Sequence, residues 1–187
     1  MIIALAGRRI DSPEIDIPVF PDASIDRVRA RIHGLLQAQY PRMLVSSAAC
    51  GADLVAQEAA GALAIRSRII LPFERNQFRK SSVVDRPGNW GPLFDRVIAE
   101  AESRQDLISL NLELESDSSY LQANQAILDD ARSQAAVHGD ELIAVLVWNC
   151  KSRGAGDITN AFGNTARSLG FKVLEWPGPP RKAAHRL

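Results

Sequence analysis

Short apolar runs alternate along this chain with amphipathic segments at helical spacing. Ile2–Ala6 is a continuous apolar run closed by Gly7, the pattern of a strand buried on both faces. Asp11–Asp22 carries three prolines and reads as a loop. Ser24 is placed to cap a helix running to Gln39, with Ile25, Val28, Ile32, Leu35 and Leu36 on one face and Pro41 as its stop. Met43–Val45 begins a second strand, Asp53–Ala64 a second helix, and Arg68–Leu71 a third strand closed by Pro72. Phe73–Pro92 is polar, contains further proline and glycine, and reads as a long connection of the kind that often carries function. A helix from Leu93 to Ser103 follows, then a half-exposed strand over Leu107–Leu114 and a long helix from Ser118 or Ser119 to Val137. Leu142–Trp148 is the strongest strand pattern. Ile158, Ala161, Phe162, Ala166 and Leu169 define a last helix ended by Gly170, before a final strand over Phe171–Glu175.

Strands alternating with helices predict a three-layer α/β sandwich: a mostly parallel central sheet, covered on both faces and joined by right-handed crossovers. With 187 residues, one domain over 1–176 is expected, with a flexible, proline- and base-rich tail over 177–187. The 22 basic and 22 acidic residues balance, and a chain that grips nucleic-acid backbone usually carries a basic surplus, so nucleic acid is not an expected partner. No apolar run approaches the ~18 residues of a membrane span. Met1 leads straight into a strand rather than a signal peptide, so the expected location is the cytoplasm, without membrane association. Cys50 and Cys150 lack metal-ligand spacing; they read as reduced thiols or as a redox-sensitive pair.

Candidate chemistry gathers where strands end. Gly7-Arg8-Arg9 places two guanidinium groups after the first strand, and arginine matches phosphate in a bidentate way. After the second strand, Ser46 and Ser47 offer hydroxyls, Gly51 permits unusual backbone geometry, and Ala52 and Asp53 open a helix. After the strongest strand, Arg153, Gly154, Gly156, Asp157 and Thr159 form a glycine-rich turn into a helix, an arrangement that offers amides and a positive dipole end to an anion. Asp157 suits a helix cap or a ribose hydroxyl better than a phosphate. Pro72 and Glu74 lie at the third strand's exit, Asn124 on the long helix, and Trp148 at a strand end where it could stack on a base or pack in the core. In a parallel sheet these loops share one edge, so they can converge on one ligand.

In this order the segments resemble the Rossmann-like superfamily often called SLOG, which includes the DNA-processing protein A domain and the LONELY GUY phosphoribohydrolases. The resemblance rests on Ala6-Gly7-Arg8-Arg9, Ser46–Asp53, Leu71-Pro72-Phe73, Tyr120 with Asn124, and Trp148 with Gly154-Ala155-Gly156-Asp157-Ile158-Thr159. It implies a nucleotide or nucleotide-derived ligand with its phosphate at the Arg153–Thr159 loop. The phosphoribohydrolase branch carries a glutamate after its glycine loop, and Asn160-Ala161 stands there instead. A nucleotide-sensing module, working with a separate effector protein and with a homodimer possible through the long helix, is therefore the leading expectation. An N-glycosidic hydrolase using Glu74, Asp53 or Asp157 is the alternative. The ligand's identity stays open.

Overall fold

The computed structural model describes residues 1–112, 116–154 and 156–177. Its strands are β1 (Ile2–Gly7), β2 (Met43–Ser46), β3 (Arg66–Leu71), β4 (Leu107–Ser109), β5 (Leu142–Trp148) and β6 (Lys172–Pro177). Its helices are α1 (Ile25–Gln39), α2 (Ala52–Ala62), α3 (Arg75–Ser82), α4 (Trp90–Ser103), α5 (Asp117–His138) and α6 (Ile158–Ser168). The strands make a single all-parallel sheet in the order β4-β3-β2-β1-β5-β6. The protein is a three-layer α/β fold of the Rossmann-like type.

The layering follows from the pleat. Successive strand residues point to opposite faces, so Ile3 and Leu5 of β1 join one core while Ile2 and Ala4 join the other. The first core takes Val28, Ile32 and Leu36 of α1, much of α2, and Phe94 and Ile98 of α4. The second takes Ile127, Leu128 and Ala131 of α5 and Phe162 and Ala166 of α6. Chain order explains the split. From β1 to β4 the chain steps toward one edge; it then returns beside β1 and steps toward the other. With one crossover handedness, reversing the step moves the helices to the opposite face. The reversal lies between β1 and β5, whose exits diverge there.

Several expectations are corrected. The stretch Phe73–Pro92 is not one long connection: it holds α3 and the first residues of α4. Glu74 caps α3 by accepting from the Asn76 amide at 2.9 Å, and Phe78 with Ser82 supplies its buried face. One apolar anchor in eight residues is too little to show as a helical period. The strand expected over Leu107–Leu114 ends at Ser109, since Asn111 turns into the left-handed region at φ 51°; its last positions lie outside the described residues. Ser24 sits in a 3-10 turn ahead of α1 and makes no side-chain capping bond. Shifts at other ends are smaller: β3 starts at Arg66, α2 at Ala52, α5 at Asp117 and β6 runs to Pro177. Tail residues 178–187 also lie outside the described residues. No described helix is long and apolar enough to cross a membrane.

Gly7 is where sheet and site meet. A Cβ at this position would lie 2.3 Å from the Ala52 Cβ and 2.9 Å from the Val147 carbonyl oxygen, so α2 approaches β1 only because position 7 has no side chain. Gly7→Ala should lower stability by about 1–3 kcal/mol, the usual cost of overpacking. Urea unfolding should show the midpoint falling with the slope unchanged.

Candidate functional site

At the β1/β5 reversal the strand exits frame a cavity of about 330 Å³, near the lower end of the range that holds small ligands. Residues 6–12 following β1 form one side. Ser47, Ala49 and Asp53 come from the β2–α2 turn, Phe78, Ser82 and Arg86 from α3 and the segment after it, and Tyr120, Ala123 and Asn124 from α5. Arg153, Gly156, Asp157, Ile158 and Thr159 close it from the β5–α6 loop.

The expected site residues divide accordingly. Gly7, Arg8, Arg9, Ser47, Asp53, Pro72, Asn124, Arg153, Gly156, Asp157 and Thr159 line the cavity. Ser46, Gly51, Ala52, Glu74, Trp148 and Gly154 do not. Ser46 is fully buried and accepts a hydrogen bond from Gln57 at 2.9 Å. Gly51, at φ 102°, lets the β2–α2 turn press on the β1 exit: a Cβ there would come within 2.8 Å of the Arg8 carbonyl oxygen. That same carbonyl accepts from the Ala52 amide at 3.2 Å. Glu74 is an exposed cap, as described. Trp148 packs in the second core with the Arg8 guanidinium carbon 5.4 Å above its ring.

Arg8 and Asp157 are the most constrained pair. Arg8 donates to both Asp157 oxygens, at 2.8 and 2.6 Å, and to the Lys151 carbonyl at 3.1 Å. Asp157 also accepts from the amides of Arg153 (2.8 Å) and Asn160 (3.1 Å), so it caps α6. Burial alone would raise the Asp157 carboxyl; Arg8 and the two amides outweigh it and hold the group below the ordinary carboxylate range.

The other charges are less complete. Arg9 pairs with Asp85, which also lies 3.4 Å from Arg86. Arg153 has Asp11 at 4.0 Å, while the other Asp11 oxygen accepts from the Val19 and Phe20 amides at 2.7 and 2.6 Å. Burial lowers the Arg153 proton affinity, and the neighbouring positive Arg8 lowers it further. Asp53, only 8% exposed, has no salt-bridge partner among the described residues. Burial pushes its carboxyl up to about 7, against the opposing pull of the Ala49 and Gly7 amides and of Arg9.

Unmet polar atoms collect around this space. Arg8 Nε, Arg9 Nε, Ser47 Oγ and Asp53 Oδ1 are buried without a hydrogen-bond partner among the described residues, and Asp11 Oδ1 and Arg86 Nε make only the ion pairs with Arg153 and Asp85; all belong to cavity-lining residues. The lining also includes the apolar residues Ile10, Ile15, Phe78 and Ile127, with Tyr120. Tyr120 is held by a 3.0 Å hydroxyl contact with Ser82 and an edge-on contact with Phe73.

Sequence reasoning passed over Asp11, Ser12, Arg86 and the α3 wall. Asp11 and Ser12 sit in the proline-rich loop, where the only sign was two polar residues just past Ile10, one position beyond the Gly-Arg-Arg turn. Arg86 lay in the segment read as a connection. Cys50 is buried and Cys150 exposed, both as free thiols. Among the described residues no group of side chains could hold a metal ion.

Fold and cavity together define an α/β protein with a ligand-sized site at the switch point of a parallel sheet. No protein-family model matches the chain, and no curated protein is similar to it. Among solved structures it is similar to DNA processing protein A (DprA) from Streptococcus pneumoniae, at 14% identity and a TM-score of 0.44. That alignment covers 92% of this chain, which spans 57% of the DprA chain.

Asp53 gives a test that needs no ligand. Its folded-state value is raised above the unfolded one of 3.8, so the stability it contributes is present at acid pH and is lost as pH rises through about 7. Asp53→Asn removes that slope. Between pH 5 and pH 8 the variant should gain about 2–3 kcal/mol on the wild type. Parallel urea titrations at several pH values measure the difference; equal slopes would show that Asp53 is ionised throughout.

Proposed function

We propose that this protein binds a nucleotide or nucleotide derivative in the cavity at the β1/β5 reversal, as a SLOG-type sensing module that works with a separate effector protein. The observation that carries the reading is a cavity whose lining combines the guanidinium residues Arg9, Arg86 and Arg153 with the apolar and aromatic residues Phe78, Tyr120 and Ile127. Guanidinium groups suit a phosphate. The Phe78, Tyr120 and Ile127 side suits the flat apolar face of a base. Asp11, Asp53 and the Asn124 carbonyl offer acceptors for ribose hydroxyls, since Asn124 already donates to the Ile158 carbonyl at 2.9 Å. Oriented donors and arginines suffice for binding, with no general base required.

Asp53 keeps a second reading in view, hydrolysis of an N-glycosidic bond. Such a step needs a carboxyl able to give a proton near neutral pH. Of the three acids considered from sequence, Glu74 lies outside the cavity and Asp157 is held ionised by Arg8. Asp53 lines the cavity, and burial raises its carboxyl to about 7.

A thermal-shift panel of AMP, ATP, NAD, ADP-ribose and cyclic dinucleotides tests the first reading. A true ligand at about 100 times its dissociation constant stabilises the fold by about 2.7 kcal/mol, a rise of several degrees. No shift with any member of the panel overturns the proposal. Chromatography of the same mixtures tests the second: release of free base that Asp53→Asn abolishes would establish turnover, and an unchanged nucleotide would dismiss it.

A further inference from the structure

We propose that the anionic end of the ligand is held by Arg153 and Arg86, contributed by two separate loops bordering the cavity, and not by a helix N-terminus. Both strand-to-helix turns that invite a phosphate already present a carboxyl group of the chain itself. At α6 the Asp157 carboxylate takes the Asn160 and Arg153 amides. At α2 the buried carboxyl of Asp53, in the first turn, faces the cavity. The glycine turn is guarded as well, because a Cβ at Gly156 would lie 3.3 Å from Asp117 Oδ2. A phosphate drawn up to that turn meets negative charge.

The guanidinium groups are not equally free. Arg8 is spent on Asp157 and the Lys151 carbonyl. Arg9 and Arg86 share one carboxylate, Asp85. Arg153 is 50% exposed, and its salt-bridge partner among the described residues, Asp11, stands at the 4.0 Å limit. Arg9, Arg86 and Arg153 therefore have Asp85 and Asp11 as their ion-pair partners among the described residues. Burial and the charges of Arg8 and Arg86 both disfavour the Arg153 cation, which is the strain an incoming anion relieves. Two guanidinium forks from separate loops match the oxygens of a phosphomonoester or a diphosphate, and the Arg86 pairing with Asp85, through Nε at 3.4 Å, is long and shared with Arg9.

The identity of the rest of the ligand rests on the nucleotide reading; the anion site does not. Isothermal titration of the full chain with inorganic pyrophosphate, and separately with AMP, at fixed ionic strength tests it. Arg153→Gln and Arg86→Gln should each weaken pyrophosphate binding about tenfold or more, the loss expected for a charge-assisted hydrogen bond. Arg153→Lys and Arg86→Lys should retain part of the affinity, and Arg132→Ala, outside the cavity, all of it. Circular dichroism checks that each variant is folded, and the lysine forms stand in where a glutamine form is not. Wild-type protein that does not bind pyrophosphate, or binding unchanged in the glutamine variants, overturns the proposal. AMP bound equally well by wild type and glutamine variants leaves nucleotide binding standing while the arginine site falls. Pyrophosphate held through the arginines without any nucleotide shift leaves the site standing and removes the nucleotide.

Discussion

The buried Arg8–Asp157 pair is the constraint on which the site depends. It joins the end of β1 to the start of α6, residues 149 positions apart, across the point where the sheet reverses direction. Taking two charges out of water costs about as much as their attraction returns, so such a pair adds little net stability; losing one partner costs about 3–5 kcal/mol because the other is left buried and uncompensated. Its consequence is geometric. With Arg8 fixed over Trp148, Asp157 is fixed as the α6 cap, and the Arg153 amide is drawn in behind it. The β5–α6 loop is thereby pinned to the β1 exit, and the cavity wall takes its shape from that bond.

The fold was legible because it is written in local periodicity. Continuous apolar runs marked β1 and β5, which are buried on both faces, and helical spacing marked α1, α4 and α6. The helix α3 escaped because Phe78 is its only large buried anchor; tertiary contact, not an apolar period, stabilises it. The location of the site was also legible, since parallel strands present their exits along one edge. What the sequence did not carry was which charges satisfy each other. Arg8 reads locally as a free guanidinium and Asp157 as a free carboxylate, and only the fold brings them together. The roles of Asp11 and Arg86 depend in the same way on loops whose course is set by distant packing.

That internal pairing also explains how a chain of zero net charge can present an anion site. The balance of 22 acids and 22 bases is a sum over the surface, whereas recognition depends on what is left unpaired within a Debye length of about 8 Å. Around the cavity, most opposite charges are used up in bonds that shape loops. What remains is local: among the described residues Arg86 and Arg153 keep only long ion pairs, at 3.4 Å to Asp85 and 4.0 Å to Asp11, and low-dielectric walls strengthen their field.

Asp53 adds a variable to this arrangement. While it is protonated, this part of the cavity lining is neutral. Once it ionises, above about 7, it brings a negative charge toward any bound anion. Binding and protonation are then linked in both directions: an anion that is repelled by ionised Asp53 must raise the proton affinity of Asp53 by the same free energy. Arg9, the nearest cation, is committed to Asp85 and offsets this only in part. A cavity lined by a carboxyl of raised proton affinity and by the Arg86 and Arg153 cations therefore holds an anionic guest more tightly on the acid side of neutrality.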